Sequence, residues 1–233
     1  MKRIIVSVAT GRFTAAQDRL RQALSEVERG ADLLFWRDSL PPGSPTHQDV
    51  PFGFKAFAMK HVLEKGYESA LWLDSPIIPL RSLVPLWELI EAQGYWFSAN
   101  PPYDNPAGLI WNCGQWTCDS ALAPLGVTRE ELFPIPHVIG GAFGLKLGSL
   151  LGRAFFDRYL RLAEDGTAFR GPIANNNGEA SPDPRVLGHR HDQTVASVLA
   201  HRLGMKLTQP PKWVVDGTRA SVTEETVLWV DRV

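Results

Sequence analysis

The chain has 233 residues, 44% of them apolar and 21% charged, and its 24 basic and 25 acidic side chains leave a net charge of −1. That length buries a substantial core. The charge balance excludes a strong electrostatic footprint for nucleic acid or an anionic membrane surface, while leaving room for a local basic pocket.

MKRIIVSVATGRF opens the chain with an apolar run from Ile4 to Thr10. It lacks a small-residue cleavage pattern, so it reads as a first strand, Ile4–Ala9, rather than a secretion signal. Nowhere does an apolar run approach the length of a membrane span. Thr14 and Gln17 form a capping-box pattern, and Ala16, Leu20, Ala23, Leu24 and Val27 mark a helix face that stops near Gly30. Asp32–Trp36 is a second strand. Prolines crowd residues 38–52, which makes them a long loop. A helix over 53–65 follows, with Phe54, Phe57, Ala58, His61 and Val62 on its buried face and Lys55 and Met59 on another.

Residues 69–80 read SALWLDSPIIPL. Ser69 to Leu73 is apolar on both faces, as a fully buried strand is, and Asp74 stands at its carboxyl end before a Ser75-Pro76 turn. In open α/β sheets ligands bind at that edge, so Asp74 is a site candidate. Ser82 caps a helix with Pro85 in its first turn and Leu83, Leu86, Trp87 and Ile90 inward. Tyr95–Ala99 is another strand. Residues 100–120, with Asn100, Asn105, Asn112 and Trp116, are irregular. Thr128 and Glu131 form a second capping box. Val138–Leu147 is a glycine-interrupted strand, and a helix runs from about Ser149 to Ala163. A loop rich in Gly, Pro and Asn covers 166–188, a helix opens in GHRHDQTVASVLAHRLGM, and Trp213–Val215 and Thr226–Val230 are late strands. Strands alternating with helices predict the α/β class: one domain over 1–233, with a mixed, mostly parallel central sheet flanked by helices. Cys113 and Cys118 are the two cysteines, expected as free thiols in a reducing cytoplasm.

Five groups offer chemistry. The Thr10-Gly11-Arg12 turn can bring backbone close to a ligand, though an ordinary strand-to-helix turn explains it equally. Asp74 suits a divalent metal or a ribose hydroxyl, or a turn bonding its own backbone. Lys55 can neutralise a diphosphate, or be a solvated lysine on a polar face. The knot His189-Arg190-His191-Asp192-Gln193 is the richest. Alternation sets His189 and His191 on one side of an extended segment, and Asp192 precedes Thr194 as a helix cap of about 1 kcal/mol. Asn175, Asn176, Asn177 and Asp183 suit sugar hydroxyls or turns.

The first strand ending in AT(G), FKAFAMKHVLEKGYESALWLDSPIIPL, VIGGAFGLKL and HRHDQTVASVLAHRLGM together resemble the nucleotide-diphospho-sugar transferases of the Rossmann-like GT-A fold over residues 4–207. The loop phrases SPTHQ, WNCGQWT and NNNGE are similar to those of bacterial members with no assigned activity. The resemblance implies a glycosyltransferase that moves a sugar from a nucleotide-diphosphate donor to a hydroxyl acceptor. It sets Thr10, Gly11, Arg12, Lys55, Asp74, Ser75 and Gln193 toward the nucleotide and donor. Asn112, Trp116, Gly140, Gly141, Asn176 and Asn177 fall toward the sugar and acceptor. Asp192 becomes the catalytic carboxylate, and Asp74 and His191 the ligands of Mn²⁺ or Mg²⁺. The family's second acid falls at Pro76, which ligates nothing, so either one carboxylate with a histidine and waters holds the ion, or Lys55, Arg12 or Arg190 stabilises the leaving diphosphate without metal. Two other readings go with that departure: a non-catalytic nucleotide-sugar binder on the same fold, and a metal-assisted phosphoester hydrolase using Asp74, His189, His191 and Asp192.

Overall fold

A computed structural model describes residues 2–100, 111–208 and 213–231. In chain order the elements are β1 (Arg3–Ala9), α1 (Thr14–Val27), β2 (Asp32–Arg37), α2 (Phe54–Glu64), β3 (Ser69–Leu73), β4 (Ile77–Pro79), α3 (Val84–Gln93) and β5 (Tyr95–Ala99). There follow α4 (Leu122–Leu125), α5 (Arg129–Leu132), β6 (Val138–Lys146), α6 (Leu150–Asp165), α7 (His191–Arg202), β7 (Val214–Asp216) and β8 (Leu228–Val230). No helix among the described residues is long and apolar enough to cross a membrane.

The main sheet has the order β2-β1-β3-β6-β5. β1 pairs in parallel with β2 and β3, whereas β6 lies antiparallel to β3 and β5, so β6 alone runs back through the sheet. β3 sits between β1 and β6, which explains its unbroken apolar run: every residue from Ser69 to Leu73 is buried. Side chains alternate between two cores. Ile4, Val6, Ala70 and Trp72 join α2, α6 and α7 on one face, through residues such as Phe57, Phe155 and Val195. Ile5, Leu71 and Leu73 meet Leu20, Leu24, Trp87 and Ile90 of α1 and α3 on the other. The glycines of β6 serve this packing. A Cβ on Gly144 would stand 2.2 Å from Ile90 Cδ1.

Beyond Asp74 the chain makes β4, an edge strand of a second sheet ordered β4-β8-β7. The sequence pattern predicts only a turn at Ser75-Pro76. Pro79 is compatible with a strand at an edge, where one face of the ladder needs no donor.

The helix ends test the capping rules individually. Ser149 caps α6 by accepting from the Gly152 N–H at 3.1 Å, and Thr128 and Glu131 form their box at α5. Pro85 lies in the first turn of α3, which ends at left-handed Gly94. The box expected at Thr14 and Gln17 does not form. A 3₁₀ turn over Gly11–Phe13 leads straight into α1, so Thr14 is already helical and its hydroxyl donates to the Gly11 carbonyl. Gln17 is instead buried, with Nε2 donating to the Trp36 carbonyl at 3.1 Å.

Candidate functional site

The site grows from the carboxyl end of β3. Antiparallel pairing carries β6 past that edge, and the Asp74 N–H donates to the Gly141 carbonyl at 2.8 Å. Trp72 lies two residues before Asp74, on the same side of the strand, and its indole Nε1 donates to Asp74 Oδ1 at 2.7 Å. Gly141 leaves the room the carboxylate needs: a Cβ there would stand 3.2 Å from Asp74 Oδ2.

Lys55 is the centre of the arrangement. Its Nζ lies 3.1 Å from Asp74 Oδ1 and 2.8 Å from Asp192 Oδ2, and donates to the Gly140 carbonyl at 2.8 Å. The expectation of a solvated lysine fails because α2 is covered almost all round. Phe54, Ala56, Phe57, Ala58 and Met59 are buried beside Lys55, which is itself 1% exposed. Burial works against the ammonium, but the Asp192 and Asp74 carboxylates outweigh it and hold Lys55 above the ordinary lysine range. Burial also raises the Asp192 carboxyl above its ordinary value, against the opposing pull of Lys55.

Asp192 is not the cap of α7. The helix begins at His191, which puts Asp192 in its first turn, pointing inward at Lys55. His191 takes a positive φ of 45° to allow that entry. Phe52, at φ 61°, packs its ring 5.9 Å from the His191 ring, so two non-glycine residues in a rarely occupied conformation meet at one place.

The two histidines do lie on one side, with ring centroids 5.2 Å apart, but the segment is not extended, because α7 begins at His191. His189 Nε2 bonds the Ala168 carbonyl at 3.1 Å and His191 Nδ1 the Phe169 carbonyl at 2.8 Å. Burial lowers both, His189 to about 3, and their bonds tie the knot to residues 168–169. Arg190 between them lies over the rings of Trp116 and Trp111, at 4.1 and 4.8 Å from their centroids, and the two indoles stack at 4.6 Å. Gln193 Nε2 donates to the Val138 carbonyl.

Together these groups line a cavity of about 480 Å³, a size suited to a small organic ligand. Lys55, Asp74, Gly140, Gly141, His191, Asp192 and Gln193 are in its wall, and so are Arg190 and Asn100. Thr10, Gly11 and Arg12 are exposed at the end of β1, next to β3, with the Gly11 N–H bonded to Asp38 Oδ1, and they are not in that wall. Ser75 is buried and is not in that wall. Asn112 closes a turn by accepting from the Gln115 N–H, and Trp116 backs the wall through Trp111. Asn176 and Asn177 sit exposed on a 3₁₀ turn and are not in the cavity wall. Their neighbour Asn175 holds that loop instead, donating to the Ser181 and Val186 carbonyls. Asn105 lies outside the described residues.

No family model matches the chain, and no curated protein matches its sequence. Solved structures match its fold. Mouse xyloside xylosyltransferase 1, in its apo form, superposes with a TM-score of 0.54 at 11% identity, covering 99% of this chain and 97% of that one. A glycosyltransferase involved in the glycosylation of the major capsid of PBCV-1 superposes with a TM-score of 0.53 at 11% identity, covering 99% and 93%. The fold is that of the GT-A glycosyltransferases.

On this GT-A frame, the expected Mn²⁺ or Mg²⁺ does not suit the donor set. Asp74 Oδ1 and Asp192 Oδ2 are bound to the Lys55 ammonium, His191 Nδ1 to a backbone carbonyl, and Pro76 stands where a second acid would. Among the described residues no three His, Cys, Asp or Glu side chains gather as metal ligands. The GT-A cavity also recruits Phe52, Trp111, Ile139, Ile173, Asp216 and Val230, which the sequence reading did not assign. Trp72 had a legible signal, its place two residues before Asp74. Asp216 and Val230 arrive through the second sheet and had none.

Proposed function

We propose that the chain is a glycosyltransferase moving a sugar from a nucleotide-diphosphate donor to a hydroxyl acceptor. One observation carries the reading. Asp74 and Asp192, from opposite parts of the sequence, converge on one buried ammonium in the wall of a ligand-sized cavity at the carboxyl edge of a GT-A sheet.

The chemistry asks for two things. The acceptor hydroxyl must lose a proton, and the leaving diphosphate gains charge that must be met. Asp192 suits the first task, since burial lifts its carboxyl toward the range where a base works best. The nucleotide would extend toward Thr10, Gly11 and Arg12 at the neighbouring end of β1. The acceptor would enter from the side of Trp111 and Arg190, where an indole wall suits a sugar face. The sequence alone offers Lys55 to the diphosphate directly. Its three donors are already directed at Asp74, Asp192 and Gly140, so its part is to hold the carboxylates.

A non-catalytic nucleotide-sugar binder is the second reading, favoured by Pro76 in place of an acid. Phosphoester hydrolysis loses support, because His189 and His191 are bonded to backbone carbonyls. The test incubates the chain with UDP-, GDP-, CDP- and dTDP-sugars and simple glycoside acceptors. Released nucleotide diphosphate and a glycosylated product are expected, with Asp192→Asn slower by about a hundredfold or more. Binding without turnover would favour the second reading, and no binding of any nucleotide would overturn both.

A further inference from the structure

Lys55 occupies a cation cage. Two carboxylate oxygens and the Gly140 carbonyl surround its Nζ at 2.8 to 3.1 Å. The Phe52 and Trp72 rings lie 5.3 and 5.4 Å from it, and water is excluded from a side chain that is 2% exposed. An ammonium has three N–H donors, and three acceptors receive them. A divalent ion bridging Asp74 Oδ1 and Asp192 Oδ2 would need this same position. To take it, the ion would have to separate a charged lysine head from all three of its partners at once. Lys55 also reduces the charge of the carboxylate pair from two negatives to one, which weakens its pull on any divalent ion.

We propose that Lys55 is a built-in substitute for the divalent cation, so that the site binds a nucleotide diphosphate without metal and has a latent metal position that the lysine fills. This rests on the glycosyltransferase reading for the identity of the ligand, but not for the exchange of lysine against metal. Lys55 acts here as a positioning residue. It fixes the two carboxylates and lowers the negative charge facing the diphosphate, while Arg190 is the other basic side chain in the cavity wall among the described residues.

Two measurements on the full chain decide the matter. In the first, the thermal shifts given by UDP, GDP, CDP and dTDP are compared in EDTA and in MnCl₂. Equal shifts are expected, and a shift that appears only with Mn²⁺ would overturn the proposal while leaving the glycosyltransferase reading standing. In the second, MnCl₂ is titrated into wild type and Lys55→Ala, with bound Mn²⁺ read by electron paramagnetic resonance. Removing the lysine opens a site of two carboxylates and a carbonyl, so Lys55→Ala should bind Mn²⁺ at least about tenfold more tightly than wild type. A folded Lys55→Ala with no gain would overturn the proposal. Should that variant not fold, the comparison in EDTA decides alone. If no nucleotide shifts wild type under either condition, the glycosyltransferase reading fails, and gain or no gain of Mn²⁺ by Lys55→Ala still decides the exchange.

Discussion

Replacing Lys55 by Met keeps the length of the stem and removes only the charge and its donors, so little of the effect is a cavity. What remains is a pair of carboxylates facing each other without a cation. Their side chains are 33% exposed at Asp74 and 8% at Asp192, so solvent can still screen the first and not the second. Breaking a buried pair from one side costs about 3–5 kcal/mol, and here most of that falls on Asp192. Adding Asp192→Asn removes the stranded charge, so the double variant should recover about 2 kcal/mol of the loss. Lys55 is also the main influence lowering the Asp192 carboxyl. Without it that group takes up a proton more readily, and the deficit of Lys55→Met should shrink as pH falls from 7 to 5. Urea unfolding of the wild type, both single variants and the double variant at the two pH values measures all three effects. A Lys55→Met cost below about 1 kcal/mol at pH 7, or strictly additive costs in the double variant, would refute the reasoning.

Three further outcomes follow from the same structure. Burial, with the Arg190 charge nearby, holds His137 to about 3, well below its unfolded value of about 6.5. The neutral ring therefore contributes fully above that unfolded value, and its contribution falls by about 1.4 kcal/mol per pH unit as pH drops toward 3. The stability difference between wild type and His137→Gln should narrow accordingly between pH 6 and 4, and parallel curves would contradict this. A Cβ on Gly188 would sit 1.9 Å from the Ile173 carbonyl oxygen, a backbone atom with nowhere to go. Gly188→Ala should cost about 3 kcal/mol and lower Tm by about 6–12 °C, and an unchanged Tm would count against the packing described. Cys113 and Cys118 are buried free thiols, and burial pushes the Cys113 thiol up. Both should resist a thiol reagent in the native chain and react fully in urea, where fewer than two reactive thiols would indicate a disulfide.

The strands were legible because a strand buried on both faces leaves an unmistakable apolar run. Ile4–Ala9 and Ser69–Leu73 are such runs, and Tyr95–Ala99 was located to the residue. Asp74 stood out for the same reason, as the first charge after a run with no polar face. The helices were legible wherever one side chain answers one backbone group, as at Ser149 and Thr128. They misled where the chain entered the helix already turning, as at Thr14 and Asp192. Lys55 carried a signal that periodicity undervalued. A lysine set among Phe54, Ala56, Phe57, Ala58 and Met59 belongs to a helix apolar nearly all round, and such a helix is buried.

By itself, then, the sequence determined the alternation of strands and helices, the class of fold, and the two carboxylates worth watching. Local periodicity suffices for this, because it reflects only which side of an element meets water. What Asp74 and Asp192 do to each other was decided by tertiary structure alone. β6 had to run back past the end of β3 to bring the start of α7 over Asp74, and α2 had to be buried to thread Lys55 between them. Charge pairing acts over a few ångströms of space, not along the chain. A distance of 2.8 Å between Lys55 and Asp192 is therefore a property of the crossover connections and not of either residue's neighbours in the sequence.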